Sequence, residues 1–309
     1  MLGLEFRQAR PQVFDRGGAV RHHRQFQFGH ATVLESECAD YTIGFTRRQP
    51  LASGPPRDMM QRHPLGSEYM TNRFLQRLQA GGVIVADGAT GTNLQKAGLP
   101  SGVTPEDWVF EQPDRISALE RSFAEAGADL ILTCTFGGTS IRLKDSKYAE
   151  RAAELNRRAV DLARAAAPDR LIGGSMGPTG QLLKPFGPLD VADAVAAYAE
   201  QAKALSEGGV DVLVIETHFA LDEAQAAFDG ARQVTNLPIV VSFSFDRGVR
   251  TMMGVKPTQV AKQFGPLGAA AIGANCGTTL ENMEKIVQEY AAANVVIWAK
   301  PNAGLPTMV

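Results

Sequence analysis

From residue 83 onward, short apolar runs alternate with longer amphipathic stretches. Strands that are buried on both faces are apolar throughout, and their alternation with helices is typical of parallel βαβ units. The pattern therefore predicts an α/β fold. The predicted strands are 83–89, 129–136, 171–177, 210–217, 238–245, 269–277 and 295–302. Helical patterns fall at 118–126, 149–167, 191–207, 221–235 and 280–293.

Polar residues and glycines stand at the C-terminal end of nearly every predicted strand. In a (β/α)8 barrel this edge forms the active-site face. A doubly wound open sheet also binds ligands at strand C-termini, but it usually concentrates them at one switch point. Because almost every strand contributes here, we predict a (β/α)8 TIM barrel.

Residues 1–69 differ from the rest of the chain. They hold four of the five histidines and no lysine, and they show no sustained strand or helix period. Such a segment buries too little apolar surface to offset its ordering entropy. We predict a disordered, low-order extension over 1–69, or a true start at Met70, followed by a barrel domain over 70–309. A metal-binding cluster at His22 and His23 and an Arg-rich transit peptide are alternatives. Acidic residues that include Glu5, Asp15, Glu35, Glu37 and Asp40 disfavour the transit peptide.

Composition excludes several classes of partner. The chain is 44% hydrophobic and 21% charged with a formal net charge of −2, so no overall basic excess supports a nucleic-acid or anionic-membrane partner. No apolar run approaches the roughly 20 residues that span a bilayer, and no secretory signal is visible. Three cysteines at distant positions do not suggest a disulfide framework. We predict a cytoplasmic protein.

The loop after the first predicted strand contains Asp87, Gly88, Ala89, Thr90, Gly91 and Thr92. It could be a tight βα turn, a loop for phosphate, or a nest of backbone N–H groups for a carboxylate. It lacks the ending of a P-loop and the spacing of a dinucleotide fingerprint. Glu216 ends a strand of Val, Leu and Ile, where a carboxylate is costly unless it is paired. It is either a capping or ion-paired residue or a ligand for a substrate amine. With Asp87, it suits an amino-acid zwitterion.

Cys276 ends the sixth predicted strand in the stretch Asn275-Cys276-Gly277. A lone cysteine is often a small core residue, but a position at the active-site edge favours a nucleophile or a metal ligand. Cys134, also at a strand end, is interpreted as a packed or substrate-lining residue. His218 is the only histidine after residue 63, so no Ser-His-Asp set can be assembled. A barrel enzyme that uses Cys276 as its nucleophile lacks an evident general base.

Six motifs in order resemble the homocysteine S-methyltransferase family. They are the loop 87–92, Thr133-Cys134-Thr135-Phe136-Gly137, Gly177-Pro178-Thr179-Gly180, Glu216-Thr217, Asn275-Cys276-Gly277 and Pro301-Asn302-Ala303-Gly304. The resemblance covers about residues 72–309. The family includes betaine–homocysteine methyltransferases, S-methylmethionine-dependent enzymes and the homocysteine module of cobalamin-dependent methionine synthases.

The resemblance implies a zinc barrel in which cysteine thiolates and the substrate thiol hold Zn2+, and a methyl group is transferred to homocysteine to give methionine. Cys276 matches the first zinc ligand. Glu216 and Asp87 match positions near the substrate amine, and the backbone of 89–92 would receive its carboxylate. Asn302 matches a residue that approaches the vacant zinc position in some members. The methyl donor is open among betaine, S-methylmethionine and a corrinoid- or folate-borne methyl group.

The chain departs from the family in one respect. An adjacent cysteine pair, set in Gly-Gly-Cys-Cys-Gly, supplies two further zinc ligands in the family and is absent from this sequence. We therefore expect a C-terminally truncated barrel without its eighth βα unit. One thiolate cannot make a tetrahedral zinc site, so we expect substoichiometric zinc and no methyl transfer. The open edges should favour aggregation or an oligomer. The alternative function is a non-catalytic barrel that binds an amino acid without zinc chemistry.

Overall fold

The computed structural model describes residues 72–277 and 279–302, and the backbone of three short strands nearer the N-terminus. These strands, β1 (Arg24–Phe28), β2 (Ala31–Glu35) and β3 (Tyr41–Ile43), pair antiparallel in chain order. The remainder of the 1–69 extension lies outside the described residues. The low-order character of that extension therefore stays a prediction.

Six strands form a parallel sheet whose spatial order is the order of the chain. A doubly wound sheet would reverse its order at a switch point, and the described sheet has no such reversal. The α/β prediction is confirmed, and the order is that of part of a (β/α)8 barrel. The strands are β4 (Leu130–Leu132), β5 (Leu171–Met176), β6 (Val212–His218), β7 (Ile239–Phe243), β8 (Ala271–Cys276) and β9 (Ile297–Pro301). The predicted absence of an eighth unit concerns the chain after Asn302, outside the described residues, and stays a prediction.

The first predicted strand, 83–89, is shorter than expected and pairs with β4 through a single bridge at Ala86. Two carboxylates replace the missing ladder bonds. The backbone N–H of Val85 donates to Asp129 Oδ2 at 2.9 Å, and that of Leu132 donates to Asp87 Oδ2 at 2.8 Å. Side-chain acceptors thus satisfy backbone groups that a regular strand would pair with carbonyls.

Helices separate the strands, as the amphipathic pattern predicts. Residues Phe74 and Leu75 are buried on the first helix, and the Asn72 side chain caps it by accepting a hydrogen bond from Leu75 N–H. The helices are α1 (Arg73–Gln79), α2 (Gly91–Lys96), α3 (Trp108–Glu111), α4 (Pro113–Ala126), α5 (Ala152–Ala166), α6 (Val191–Gly208), α7 (Leu221–Val234), α8 (Pro257–Phe264) and α9 (Leu280–Ala292). Within the described part of the chain, none is long and apolar enough to cross a membrane.

The sheet is buried on both faces, and successive residues of a strand alternate between two cores. The outer core contains Leu213 and Ile215 together with the helices, whereas the inner core contains Val212 and Val214. Phe74 and its neighbour on α1 join the inner core. This alternation explains why the predicted strands are continuously apolar.

The two ends of the sheet meet, which shows how strongly it curls. Lys300 lies on β9 and Asp87 lies beside β4, yet Lys300 Nζ is 3.1 Å from Asp87 Oδ1. In a flat sheet with strands about 4.8 Å apart, six intervals would separate them by about 29 Å. The sheet therefore closes far enough for its first and last members to share one interior.

Candidate functional site

A layer of polar side chains lies above the apolar inner core, at the C-terminal end of the strands. On β6, Val212 and Val214 face the inner core, and two residues further the same alternation turns Glu216 inward. On β9, Trp298 belongs to the inner core and Lys300 follows it by the same rule. The layer consists of Ser175, Glu216, Ser242, Asn275 and Lys300, and Asp87 adjoins it.

Asp87 and Lys300 form an ion pair in this layer. The Asp87 side chain is 2% exposed and that of Lys300 15%. Burial raises the pKa of the Asp87 carboxyl, and the opposing effects of the Lys300 ammonium and the Leu132 N–H do not cancel the rise. Burial by itself lowers the pKa of Lys300, but the carboxylates of Asp87 and Glu216 outweigh it and raise that pKa overall.

Glu216 is the second buried carboxylate of the layer. Its Oε1 accepts a hydrogen bond from Ser175 Oγ at 2.5 Å. It attracts the Lys300 ammonium and repels Asp87, so the three charges share one interior space. Sequence analysis left open a capping role or an amine-binding role for Glu216. The residue lies on an inner strand face at the active-site edge, which supports the second role.

Asn275 organises the part of the layer next to Cys276. Its Oδ1 accepts hydrogen bonds from Thr217 N–H at 2.9 Å and from Ser242 Oγ at 2.6 Å. Its Nδ2 donates to Thr217 Oγ1 at 2.6 Å and to Cys276 Sγ at 3.2 Å. One buried amide thus joins β6, β7 and β8 at the point where these strands end.

Cys276 lies half-buried at the edge of the barrel. Its φ of 55° is left-handed, as is the φ of 63° at Thr217, and such conformations in residues other than glycine are uncommon and concentrate at functional sites. Cys276 Sγ lies 4.0 Å from Thr217 Oγ1. Burial raises the pKa of the Cys276 thiol, and the nearby Glu216 carboxylate raises it further.

The loop from Gly88 to Thr92 leads into α2, which begins at Gly91. The first N–H groups of a helix have no partner inside the helix. Within the described part of the chain, no hydrogen bond reaches the backbone N–H groups of Gly88, Ala89, Thr90 and Gly91. The carboxylate nest suggested by the sequence therefore has donors to offer.

Neighbouring side chains support the site without entering it. Glu223 on α7 accepts hydrogen bonds from Thr179 N–H at 2.8 Å, Thr179 Oγ1 at 2.7 Å and the Tyr198 hydroxyl at 3.1 Å. These hydrogen bonds hold the loop after β5.

Two further candidates from the sequence, His218 and Cys134, are buried. Burial lowers the pKa of His218 to about 4, although Glu223 opposes the shift. Cys134 is buried in a separate apolar cluster, in agreement with a packed residue.

The described residues do not make up a zinc site. No group of three His, Cys, Asp or Glu side chains in 72–277 and 279–302 is arranged to hold a metal ion. Cys276 stands there as a single thiol. Asn302 is exposed, and its Nδ2 donates to the Gly277 carbonyl at 3.2 Å, which places it close to Cys276 in space. Among the described residues, Cys276 fits as one zinc ligand. The remaining ligands of a zinc site would have to come from elsewhere.

Four candidate residues from the sequence lie at the same end of the sheet in the structure: Asp87, Glu216, Cys276 and Asn302. Lys300, Ser175 and Ser242 were not among the candidates, and Thr217 and Asn275 were quoted in motifs without a role. A signal for Lys300 was present, because it is the only lysine in any of the seven apolar runs. A charged residue inside such a run is costly unless it has a partner.

Comparisons with known proteins identify the family. The model of the homocysteine S-methyltransferase family matches residues 84–308. Methionine synthase of Mycobacterium leprae (strain TN) and that of Mycobacterium tuberculosis (strain ATCC 25618 / H37Rv) are each 31% identical over 245 residues, or 73% of this chain. The chain spans only 20% of the length of these relatives.

Among solved structures, the metallated form of the homocysteine methyltransferase MmuM from Escherichia coli has a TM-score of 0.65 at 22% identity. The match covers 74% of this chain and 86% of the other. The apo form of the same enzyme has a TM-score of 0.57 at 23% identity. At such identities the likeness establishes the fold. The family model covers more than half of the residues, and the chain therefore belongs to the homocysteine S-methyltransferase family.

Proposed function

We propose that the chain binds homocysteine in the polar layer and takes part in methyl transfer to its thiol, giving methionine. The observation that carries the proposal is the pair of buried carboxylates beside a half-buried thiol at one end of the barrel, in a chain of this family. Glu216 and Asp87 suit the ammonium group of an amino acid, and Cys276 lies near enough to face the side chain of a bound amino acid.

The amino-acid end of the substrate would be held by charge and by backbone donors. Among the described residues, Glu216 accepts a hydrogen bond from a neutral partner, the Ser175 hydroxyl, and its carboxylate would pair with the substrate ammonium group. The N–H groups from Gly88 to Gly91 would receive the substrate carboxylate, and Thr92 would border it. Glu216 attracts an ammonium group and the backbone N–H groups attract a carboxylate. The site therefore favours a zwitterion over a simple amine or a simple acid.

The thiol end of the substrate would lie toward Cys276 and Asn302. Zinc is implied by the family, and Cys276 is the described residue that fits its first ligand. Because the described residues supply only that one thiolate, we derive no step through the metal. The methyl donor is equally a matter for experiment, among betaine, S-methylmethionine and a corrinoid- or folate-borne methyl group. A cytoplasmic location stays a prediction from the sequence.

The test is direct. Purified protein is incubated with L-homocysteine and each candidate donor, with and without added zinc, and methionine is followed by mass spectrometry. The missing cysteine pair predicts no methionine from this chain alone. If methionine does form with one donor, kcat/KM should fall at least tenfold for Glu216→Gln, because a charge-assisted hydrogen bond contributes about 1.5 to 3 kcal/mol. Glu125→Gln, an exposed change on α4, is the matched control and should have no effect. No methionine with any donor would contradict catalysis by this chain.

A second function is favoured by the lack of a three-ligand cluster among the described residues. In that case the chain binds an amino acid without metal chemistry. Calorimetry in the presence of a chelator would then detect binding of homocysteine or methionine, and Cys276→Ala would leave it intact. Binding that requires added zinc and is lost in Cys276→Ala would instead indicate a metal site.

A further inference from the structure

We propose that Lys300 is a specificity-determining residue that acts as an internal competitor for the substrate ammonium group. In the structure, the ammonium group of Lys300 forms an ion pair with Oδ1 of Asp87. A ligand can use Asp87 fully only when Lys300 moves away. The inference rests on the proposed amino-acid site and adds to it a residue that controls its affinity.

The backbone engages one oxygen of Asp87, and Lys300 engages the other. Asp87 Oδ2 is committed to the Leu132 N–H at 2.8 Å, which completes the pairing of the first chain segment with β4. Its Oδ1 is the remaining oxygen, and Lys300 Nζ lies 3.1 Å from it. A lysine side chain ends in the same primary ammonium group that an amino acid carries. The two ammonium groups would therefore compete for one oxygen and repel each other if both approached it.

The charges of the layer also favour competition between Lys300 and a ligand ammonium group. Asp87 and Glu216 carry two negative charges and Lys300 one positive charge, so the layer has a net charge of −1 when all three are ionised. With Lys300 in place, a ligand ammonium group has only Glu216 as an anionic partner. With Lys300 turned away, the ligand would bridge both carboxylates, which is the stronger arrangement.

Lys300 has a way out of the layer. Its side chain is 15% exposed, whereas that of Asp87 is 2% exposed. Lysine combines a flexible four-carbon stem with a strongly hydrated head group, so rotation toward solvent at the open end of the barrel is accessible. Two arrangements follow: Lys300 paired with Asp87 in the free protein, and Lys300 in solvent with the ligand between Asp87 and Glu216.

Competition of this kind lowers the apparent affinity by the fraction of molecules in which the site is free. If Lys300 leaves Asp87 in about a tenth of the molecules, its removal strengthens binding about tenfold. The gain requires an ammonium group on the ligand. A ligand that lacks one does not compete with Lys300 and gains nothing.

The experiment measures ligand dissociation constants by calorimetry for the wild type, Lys300→Met and Lys300→Gln. Lys300→Arg is the matched control, since it keeps a cation beside Asp87, and Lys285→Met changes an exposed lysine on α9. The ligands are L-homocysteine and 4-mercaptobutanoate, which has the same thiol and carboxylate without the amino group. We expect Lys300→Met to bind L-homocysteine about tenfold more tightly and 4-mercaptobutanoate with unchanged affinity. Both controls should behave like the wild type.

Lys300→Gln is included in case Lys300→Met does not fold. The amide of glutamine can still donate a hydrogen bond to Asp87, although the positive charge is gone. Weaker or unchanged L-homocysteine binding by a folded Lys300→Met or Lys300→Gln protein would overturn the inference. An equal gain for 4-mercaptobutanoate would also overturn it.

L-norleucine and pentylamine separate this inference from the proposed function, because they carry an ammonium group but no thiol. If Lys300→Met gains affinity for them while no methionine is formed in the activity assay, the competitor role stands and the methyl-transfer proposal fails. If none of the ammonium-bearing ligands gains affinity, the competitor role is wrong even where methionine is formed.

Discussion

Asn275 offers the sharpest test of how the site is held together. The residue is 2% exposed and makes hydrogen bonds to Thr217 N–H, Thr217 Oγ1 and Ser242 Oγ, with a longer contact to Cys276 Sγ. Asn275→Ala removes all of them at once. Because these hydrogen bonds join the ends of β6 and β7 to β8, we expect the substitution to loosen the edge of the barrel as well as to lower stability.

The magnitude follows from the three well-formed hydrogen bonds. Each contributes about 1 kcal/mol net, so the loss is about 3 kcal/mol. The Thr217 N–H and the Ser242 hydroxyl would be left inside the protein without this acceptor, which brings the expected loss of unfolding free energy to about 3 to 4 kcal/mol. Asn302→Ala is the control, because Asn302 is exposed and, among the described residues, its side chain has one hydrogen bond, to the Gly277 carbonyl. It should cost no more than about 0.5 kcal/mol.

The assay is urea denaturation followed by tryptophan fluorescence. Trp298 is a suitable reporter, because it is buried on β9 and pairs with Gly273 two residues before Asn275 on the adjacent strand. A loss below about 1 kcal/mol for Asn275→Ala would refute the reasoning, since it would mean that the amide contributes no more than one ordinary hydrogen bond. An equal loss for Asn302→Ala would refute it too.

Three further predictions concern titration and the N-terminal segment. Burial and then Glu216 raise the pKa of the Cys276 thiol, so iodoacetamide should alkylate it only at a pH above that of an ordinary cysteine. Glu216→Gln should move that profile to lower pH, and Cys276→Ser, which identifies the reacting thiol, should abolish it. His218 has a folded-state pKa of about 4 against its usual 6.5, so the unfolded chain binds the proton more tightly and stability falls as the pH drops from about 6.5 to 4. The loss reaches about 3 kcal/mol, and urea titrations across this range should show a shallower dependence for His218→Phe. Removal of residues 1–69, giving a chain that begins at Met70, should leave the melting temperature within a few degrees; a larger drop would show that the segment packs on the barrel.

Alternation along the strands accounts for the inward direction of part of the candidate site once the strand bounds are known. Glu216 ends a run of aliphatic residues, and its parity with Val212 and Val214 carries it to the inner face. The same rule applies to Lys300 after Trp298, although the sequence analysis passed over it. Strand alternation therefore accounts for which side chains point inward, but it says nothing of which ones touch.

Cys276 shows where alternation fails. Asn275 faces inward, so a regular strand would turn the next residue outward. The left-handed φ of 55° at Cys276 interrupts the strand and leaves its Sγ beside Asn275 and Thr217 at the barrel edge. The positive φ at Cys276 lies next to the hydrogen bonds that Asn275 makes to β6 and β7, and the sequence shows neither feature.

The sequence by itself determined the α/β class, the strand order and the residue types at the strand ends, because these depend on periodicity and on neighbours along the chain. The pairing of Asp87 with Lys300 was decided only by the tertiary structure. These residues are 213 positions apart, and each belongs to a different end of the sheet. They meet because the twisted sheet curls until its ends share one interior, and the pair is retained there because a buried charge needs a partner of opposite sign.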